Sequence, residues 1–186
     1  LSVFSGVILF LGFRRAWLMR ADGRTKMKRS DIHSEFARRF GSPEPREPVS
    51  SDALHAVEEK MRISFPEAYR TFIASIGTLA TPDILGLMVD AHESDGPDIE
   101  GFDVARFFSP SEILESHTSY SGAGMDSTLV PVAIDSAGNV FGFRREDMES
   151  RRDDCMVWFF DHDFCKLKQE ADSFDAWLEH YLPLKV

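Results

Sequence analysis

Two apolar runs, Thr128-Leu129-Val130-Pro131-Val132-Ala133-Ile134 and Val140-Phe141-Gly142-Phe143-Arg144, are separated by Asp135-Ser136-Ala137-Gly138-Asn139. Each run has strand length and is rich in β-branched and aromatic residues. The spacer is polar and contains a glycine that can turn the chain. This pattern predicts a β-hairpin. It constrains the fold because it puts a sheet in the middle of a chain whose flanks read as helices. Downstream, Cys155-Met156-Val157-Trp158-Phe159-Phe160 and Phe164-Cys165-Lys166-Leu167 flank Asp161-His162-Asp163 and read as a second hairpin or a sharp bend.

The helices announce themselves by spacing and caps. Ser30 can cap a short helix in which Ile32, Phe36 and Phe40 recur one turn apart, with Gly41 at its end. Residues 41–48 hold three prolines in eight positions and read as a linker. Ser51 or Asp52 can cap a second helix with an apolar stripe of Leu54, Val57 and Met61. Phe65-Pro66 opens a third, because proline is tolerated in a first turn whose N–H lacks a partner anyway. Ala68, Tyr69, Phe72, Ile73 and Ile76 make its buried face, and Gly77 ends it. Residues 84–89, Ile-Leu-Gly-Leu-Met-Val, form an apolar run of strand length. Ser109-Pro110-Ser111-Glu112 is a capping box that begins a short helix over Ile113 and Leu114. Asp172 or Ser173 caps the last helix, with Phe174, Trp177, Leu178, Tyr181 and Leu182 inward and Pro183 as its stop. Helices, then strands, then a helix make an α+β layout with a mostly antiparallel sheet. The organisation expected is a basic and apolar extension over 1–30, a short helix and Pro-rich linker over 31–50, and one α+β domain over 51–186.

Charge narrows the function classes. The net charge of −10 is unevenly spread. Residues 1–30 carry seven basic side chains against Asp22, whereas 31–186 carry 14 basic and 30 acidic groups, a net of −16. A body this acidic repels phosphate backbones and anionic membranes and attracts basic partners. Direct nucleic-acid binding by the body is excluded on that ground. Cys155 and Cys165 do not make a disulfide framework. They fit a reducing, cytoplasmic setting as small buried hydrophobes. The apolar stretch over residues 1–13 is too short to span a bilayer, and Arg14 and Arg15 follow it rather than precede it as in a signal peptide. The bland expectation is a chain that begins upstream of its natural start, with Met19 or Met27 as the true first residue. An amphipathic or signal-anchor role is the alternative.

The most unusual stretch is Val89 to Asp103. It holds Asp90, Glu93, Asp95, Asp98, Glu100 and Asp103 and no Lys or Arg. It reads either as a solvated connection kept extended by self-repulsion or as a recognition surface that steers a basic partner. A loose cation site at Asp90, Asp95 and Asp98 is a lesser alternative, since the spacing of a calcium-binding EF-hand loop is absent. Asp161-His162-Asp163 suits a structural turn, with partner contact as the alternative and catalysis last. Strand alternation would point its acids away from the histidine. There is no Walker loop, GxSxG, HExxH or paired CxxC. Gly122-Ala123-Gly124 is not followed by a phosphate-type helix.

Several segments, in order, resemble the SUKH superfamily, also called the Smi/Knr domain family. Val57-Glu58-Glu59 leads into Ile63-Ser64-Phe65-Pro66-Glu67-Ala68-Tyr69-Arg70-Thr71-Phe72, then Ile76-Gly77. Phe108-Ser109-Pro110-Ser111-Glu112-Ile113 follows, then Leu129-Val130-Pro131-Val132-Ala133 with Gly138-Asn139-Val140-Phe141. Val157-Trp158-Phe159-Phe160-Asp161-His162-Asp163 and Ser173-Phe174-Asp175-Ala176-Trp177-Leu178 complete the set. The resemblance covers about 51–182. Ile76-Gly77-Thr78 departs from the Asn-Gly-Gly often seen there, and residues 1–50 have no counterpart in the minimal domain. The resemblance implies one α+β domain with helices on a strongly twisted sheet and no enzymatic activity. Bacterial members are mostly immunity proteins that neutralise a cognate toxin domain in the cytosol, often a nuclease. Fungal members are regulatory adaptors.

Charge and resemblance together lead us to expect a non-enzymatic immunity protein. It would bind a basic toxin protein through Asp90, Glu93, Asp95, Asp98, Glu100 and Asp103, with no cofactor, no metal, no direct nucleic acid and no membrane. The acidic stretch would stand in for nucleic-acid charge. The alternative is a cytosolic regulatory interaction adaptor unrelated to toxins, using an apolar surface. A hydrolase built on the Asp/His/Glu-rich loops ranks last.

Overall fold

The computed structural model describes residues 27–94, 96–97 and 101–186. Expectations placed on residues 1–26 therefore lie outside the described residues. The central hairpin is present. β2 (Leu129–Ile134) pairs antiparallel with β3 (Val140–Arg144), with Ile134 opposite Val140 and an irregularity between Pro131 and Ala133. The loop closes through Asp135, whose Oδ1 accepts the Ala137 and Asn139 N–H groups at 2.9 and 2.7 Å. Gly138 turns the chain at φ +93°, where a side chain would be strained.

β4 (Val157–Asp161) adds to β3, and β5 (Lys166–Ala171) adds to β4. The short β1 (Arg106–Phe107) pairs with β2 on the other side. All neighbours are antiparallel, in the order β1-β2-β3-β4-β5. The second hairpin thus exists, but its return strand starts at Lys166, and Phe164-Cys165 belong to the turn. β5 is an edge strand, and its exposed Lys166 and Lys168 discourage pairing with a foreign strand.

Among the described residues, seven helices accompany this sheet. They are α1 (Arg29–Phe40), α2 (Ser51–Met61), α3 (Glu67–Ile76), α4 (Ile84–Glu93), α5 (Pro110–Gly122), α6 (Arg145–Ser150) and α7 (Phe174–Tyr181). The α+β expectation with an antiparallel sheet holds. One face of the sheet meets α3 and α7. Phe141 of β3 lies 4.7 Å from Trp177, and Phe143 lies 5.5 Å from Tyr69 and 6.0 Å from Phe174, centroid to centroid. The opposite face meets α5, whose Tyr120 sets its ring edge-on to Phe160 and donates its hydroxyl hydrogen to Gly138 O at 2.6 Å. Covered on both faces, Leu129 to Ala133 and Val140 to Phe143 are continuously buried.

Three caps form close to where the sequence places them. The Ser109/Glu112 box makes both of its reciprocal hydrogen bonds. Ser173 accepts the Ala176 N–H at 3.1 Å, and Gly77 ends α3 at φ +79°. Other details differ. α2 is capped by Ser50 rather than Ser51 or Asp52, and α1 starts at Arg29 with Lys28 before it. α5 is longer than expected, and α6 and β1 were not anticipated. Residues 84–89 are helical, not a strand. The Pro-rich stretch 43–48 has no regular element, yet it does not detach α1 from the body. Ile32, Phe36 and Phe40 enter the same core as the sheet, with Phe36 fully buried about 6 Å from the Phe107 and Tyr181 rings.

Candidate functional site

Helix α4 and the acidic segment after it form the site to which the sequence points. The chain reaches α4 through Thr81. Its N–H donates to Ala105 O, its hydroxyl donates to Val104 O, and its carbonyl accepts the Ile84 N–H. Ile84 and Ala91, two turns apart, are the buried residues of the helix, with Leu87 and Met88 half-buried between them. The run looked like a strand because six apolar positions in a row carry no period. The tertiary structure buries one side of it and leaves the other in water. Leu85 and Val89, one turn apart, remain 46% and 47% exposed.

The acidic residues divide into three groups. Asp90 and Glu93 stand exposed at the end of α4, and among the described residues neither has a basic partner. Asp95, Asp98 and Glu100 lie outside the described residues. Asp103 differs from the rest. It is 7% exposed and accepts the Ser136 N–H and hydroxyl at 3.1 and 2.6 Å, so its charge fixes the β2–β3 loop rather than facing solvent.

The segment is secured where it rejoins the body. The Phe102 ring stacks on Phe159 at 3.7 Å, and Lys168 sits 4.1 Å over it. The Phe102 N–H donates to Glu170, and its carbonyl accepts the Tyr181 hydroxyl hydrogen at 2.6 Å. Residues 71–105 contain seven carboxylates and no Lys or Arg. Negative charge is therefore concentrated along this part of the sequence.

The other candidate trio is a turn. Asp161 Oδ1 accepts the N–H groups of Asp163 and Phe164, both at 3.1 Å. His162 Nδ1 lies 2.8 Å from Asn139 Oδ1, which ties the two hairpin loops together. Among the described residues, no group of three or more His, Cys, Asp or Glu side chains could hold a metal ion. Among the same residues, no helix is long and apolar enough to cross a membrane.

Residues 48–180 match the SMI1 / KNR4 family (SUKH-1). The chain belongs to that family. No curated protein matches it.

Two further carboxylates hold the domain together. Glu58, 3% exposed, sits within the buried stripe of α2. It accepts the Phe65 N–H at 2.7 Å and the Arg70 Nε–H at 2.9 Å, so it holds the Phe-Pro turn that launches α3. Burial works against its charge, but the Arg70 guanidinium and the Phe65 N–H outweigh it and hold the carboxyl below its usual range. The available signal was an acid placed between Leu54, Val57 and Met61.

Asp175 plays the matching role at α7. It accepts from Arg29 Nε at 2.8 Å and lies 2.9 Å from His33 Nε2, which joins α1 to the start of α7. Burial opposes this charge too, and the contacts from His33 and Arg29 overcome it, so the pKa falls. Of the two cysteines, Cys155 is buried, and desolvation pushes its thiol pKa up. Cys165 is exposed in the β4–β5 turn, contrary to the expectation that both are buried, because the strand begins one residue later.

Proposed function

We propose that this SUKH-1 protein is a non-enzymatic immunity protein. In this reading it binds a cognate toxin domain and blocks it through the acidic surface formed by Asp90, Glu93 and the Asp95, Asp98 and Glu100 that follow. Membership of a family whose members are generally non-catalytic immunity proteins supports the role. The observation that carries the surface is the stretch 71–105, with seven carboxylates, no Lys or Arg, and both described acids of α4 unpaired. A basic toxin, such as a nuclease with a phosphate-binding cleft, would meet a surface that imitates the charge of its substrate. The protein would act in the cytoplasm.

The experiment is titration calorimetry of the full chain against the toxin domain encoded beside it, at low and high salt. Tight binding that weakens steeply with salt is expected. Tight binding indifferent to salt would move the interface off the acidic surface. No binding would end the toxin reading and favour a regulatory adaptor.

A further inference from the structure

We infer that the solvent face of α4 is the anchor of the interface, and that the partner presents an apolar hollow rimmed by Lys or Arg. The partner's identity rests on the immunity reading; the anchor is added by the geometry of this helix.

Five large apolar side chains are strongly exposed among the described residues: Met27, Leu85, Val89, Phe164 and Val186. Met27 and Val186 lie at the two ends of the described chain, and Phe164 stands on a turn. Leu85 and Val89 alone sit side by side on one helix. Met88 flanks them half-buried, and His92 continues the row in the next turn. A Cβ built on Gly86, beside the pair, meets nothing within 4 Å, so no described part of the chain covers this face. The exposure is not slack in the core, because Ile84 and Ala91 are fully engaged on the opposite side.

The chemistry next to this stripe selects the occupant. Asp90 and Glu93 lie on the far flank of Leu85 and Val89, and no Lys or Arg occurs from residue 71 to 105. An apolar centre with a charged rim is the arrangement of a protein–protein hot spot. Unneutralised carboxylates disfavour a phosphate backbone or an anionic bilayer. They also disfavour a second copy, which would set Asp90 and Glu93 against their own kind across a two-fold interface. A partner with a basic rim satisfies both halves of the face.

The two halves should separate kinetically, since rim charge sets association and the buried anchor sets dissociation. The full chain is measured by surface plasmon resonance against the toxin domain encoded beside it. Leu85→Ser with Val89→Ser is expected to speed dissociation about tenfold or more, with association within about twofold. Asp90→Asn with Glu93→Gln is expected to slow association several-fold and flatten its salt dependence, leaving dissociation nearly unchanged.

Gly86→Arg guards against misreading an unstable variant. It favours the helix, fits the open space, and should weaken binding by placing a cation against the basic rim. Wild-type binding with an unchanged dissociation rate in the Leu85/Val89 variant would overturn the anchor and leave the immunity reading standing. No wild-type binding would overturn both. Self-association of the full chain by light scattering, abolished by the Leu85/Val89 variant, would overturn the basic-rimmed partner in favour of a second copy.

Discussion

The loop Asp135–Asn139 and the end of α4 both present carboxylates, and Asp135 in the one and Asp90 and Glu93 in the other are used in opposite ways. In the loop, backbone N–H groups converge on Asp135, Asn139 Nδ2 donates to it at 2.8 Å, and Asn139 in turn holds His162. The charge is consumed in fixing a turn. At the end of α4, the Asp90 and Glu93 carboxylates receive no hydrogen bond from the described chain. An acid that gathers amide hydrogens belongs to the fold, and one that gathers none is available to something else. Asp103 sits within the acidic stretch by sequence and in the first class by structure.

That contrast can be tested from its inward side first. Asp135→Ala strips partners from three donors and is expected to destabilise by about 3 kcal/mol, which should lower Tm by roughly 10 °C in a scanning-calorimetry trace. Little change would show that water replaces the carboxylate and that the loop charge is not structural. Glu58→Ala, which orphans the Phe65 N–H and leaves Arg70 unpaired, should cost about 2–3 kcal/mol in urea unfolding.

Acid sharpens the comparison further. Glu58 and Asp175 have carboxyl pKa values lowered in the folded state. Their contribution is therefore present above the ordinary carboxylate range and is lost as pH falls through the depressed folded values. Asp154 has the opposite sign, because burial raises its pKa and acidification relieves its cost. The two lowered groups should dominate. The urea midpoint is expected to drop between about pH 5 and pH 3, and Glu58→Gln should flatten that drop. At the outward side, Asp90→Asn with Glu93→Gln should change stability by no more than about 0.5 kcal/mol while changing the salt dependence of toxin binding.

Much of the fold was legible because local chemistry and tertiary structure agree. The Asp135–Asn139 loop, the Ser109/Glu112 box, Gly77 and the Ser173-capped final helix each carry their own signal. The failures occur where context decides. Residues 84–89 are uniformly apolar, so they show no period, and only the neighbours determine which side is buried. β1 is two residues long and exists only because β2 offers an edge. α6 has no apolar stripe to announce it. The site was legible as charge but not as shape. The six carboxylates were visible in the sequence. The position of Asp103 under Ser136 was not, nor was the emergence of Leu85 and Val89 on the wet side of a helix.

The place of α1 has a practical consequence. The SUKH-1 match begins at residue 48, after α1 has ended, and stops at residue 180, before Tyr181 and Leu184. Yet Phe36 plugs a socket bounded by Phe72, Phe107 and Tyr181, and Arg39 reaches the carbonyls of Leu182 and Leu184. A recombinant fragment cut to the family boundaries would lose the plug and part of the socket wall together. Its freshly opened aromatic surface would make it sticky, protease-sensitive and easily mistaken for a domain that cannot fold.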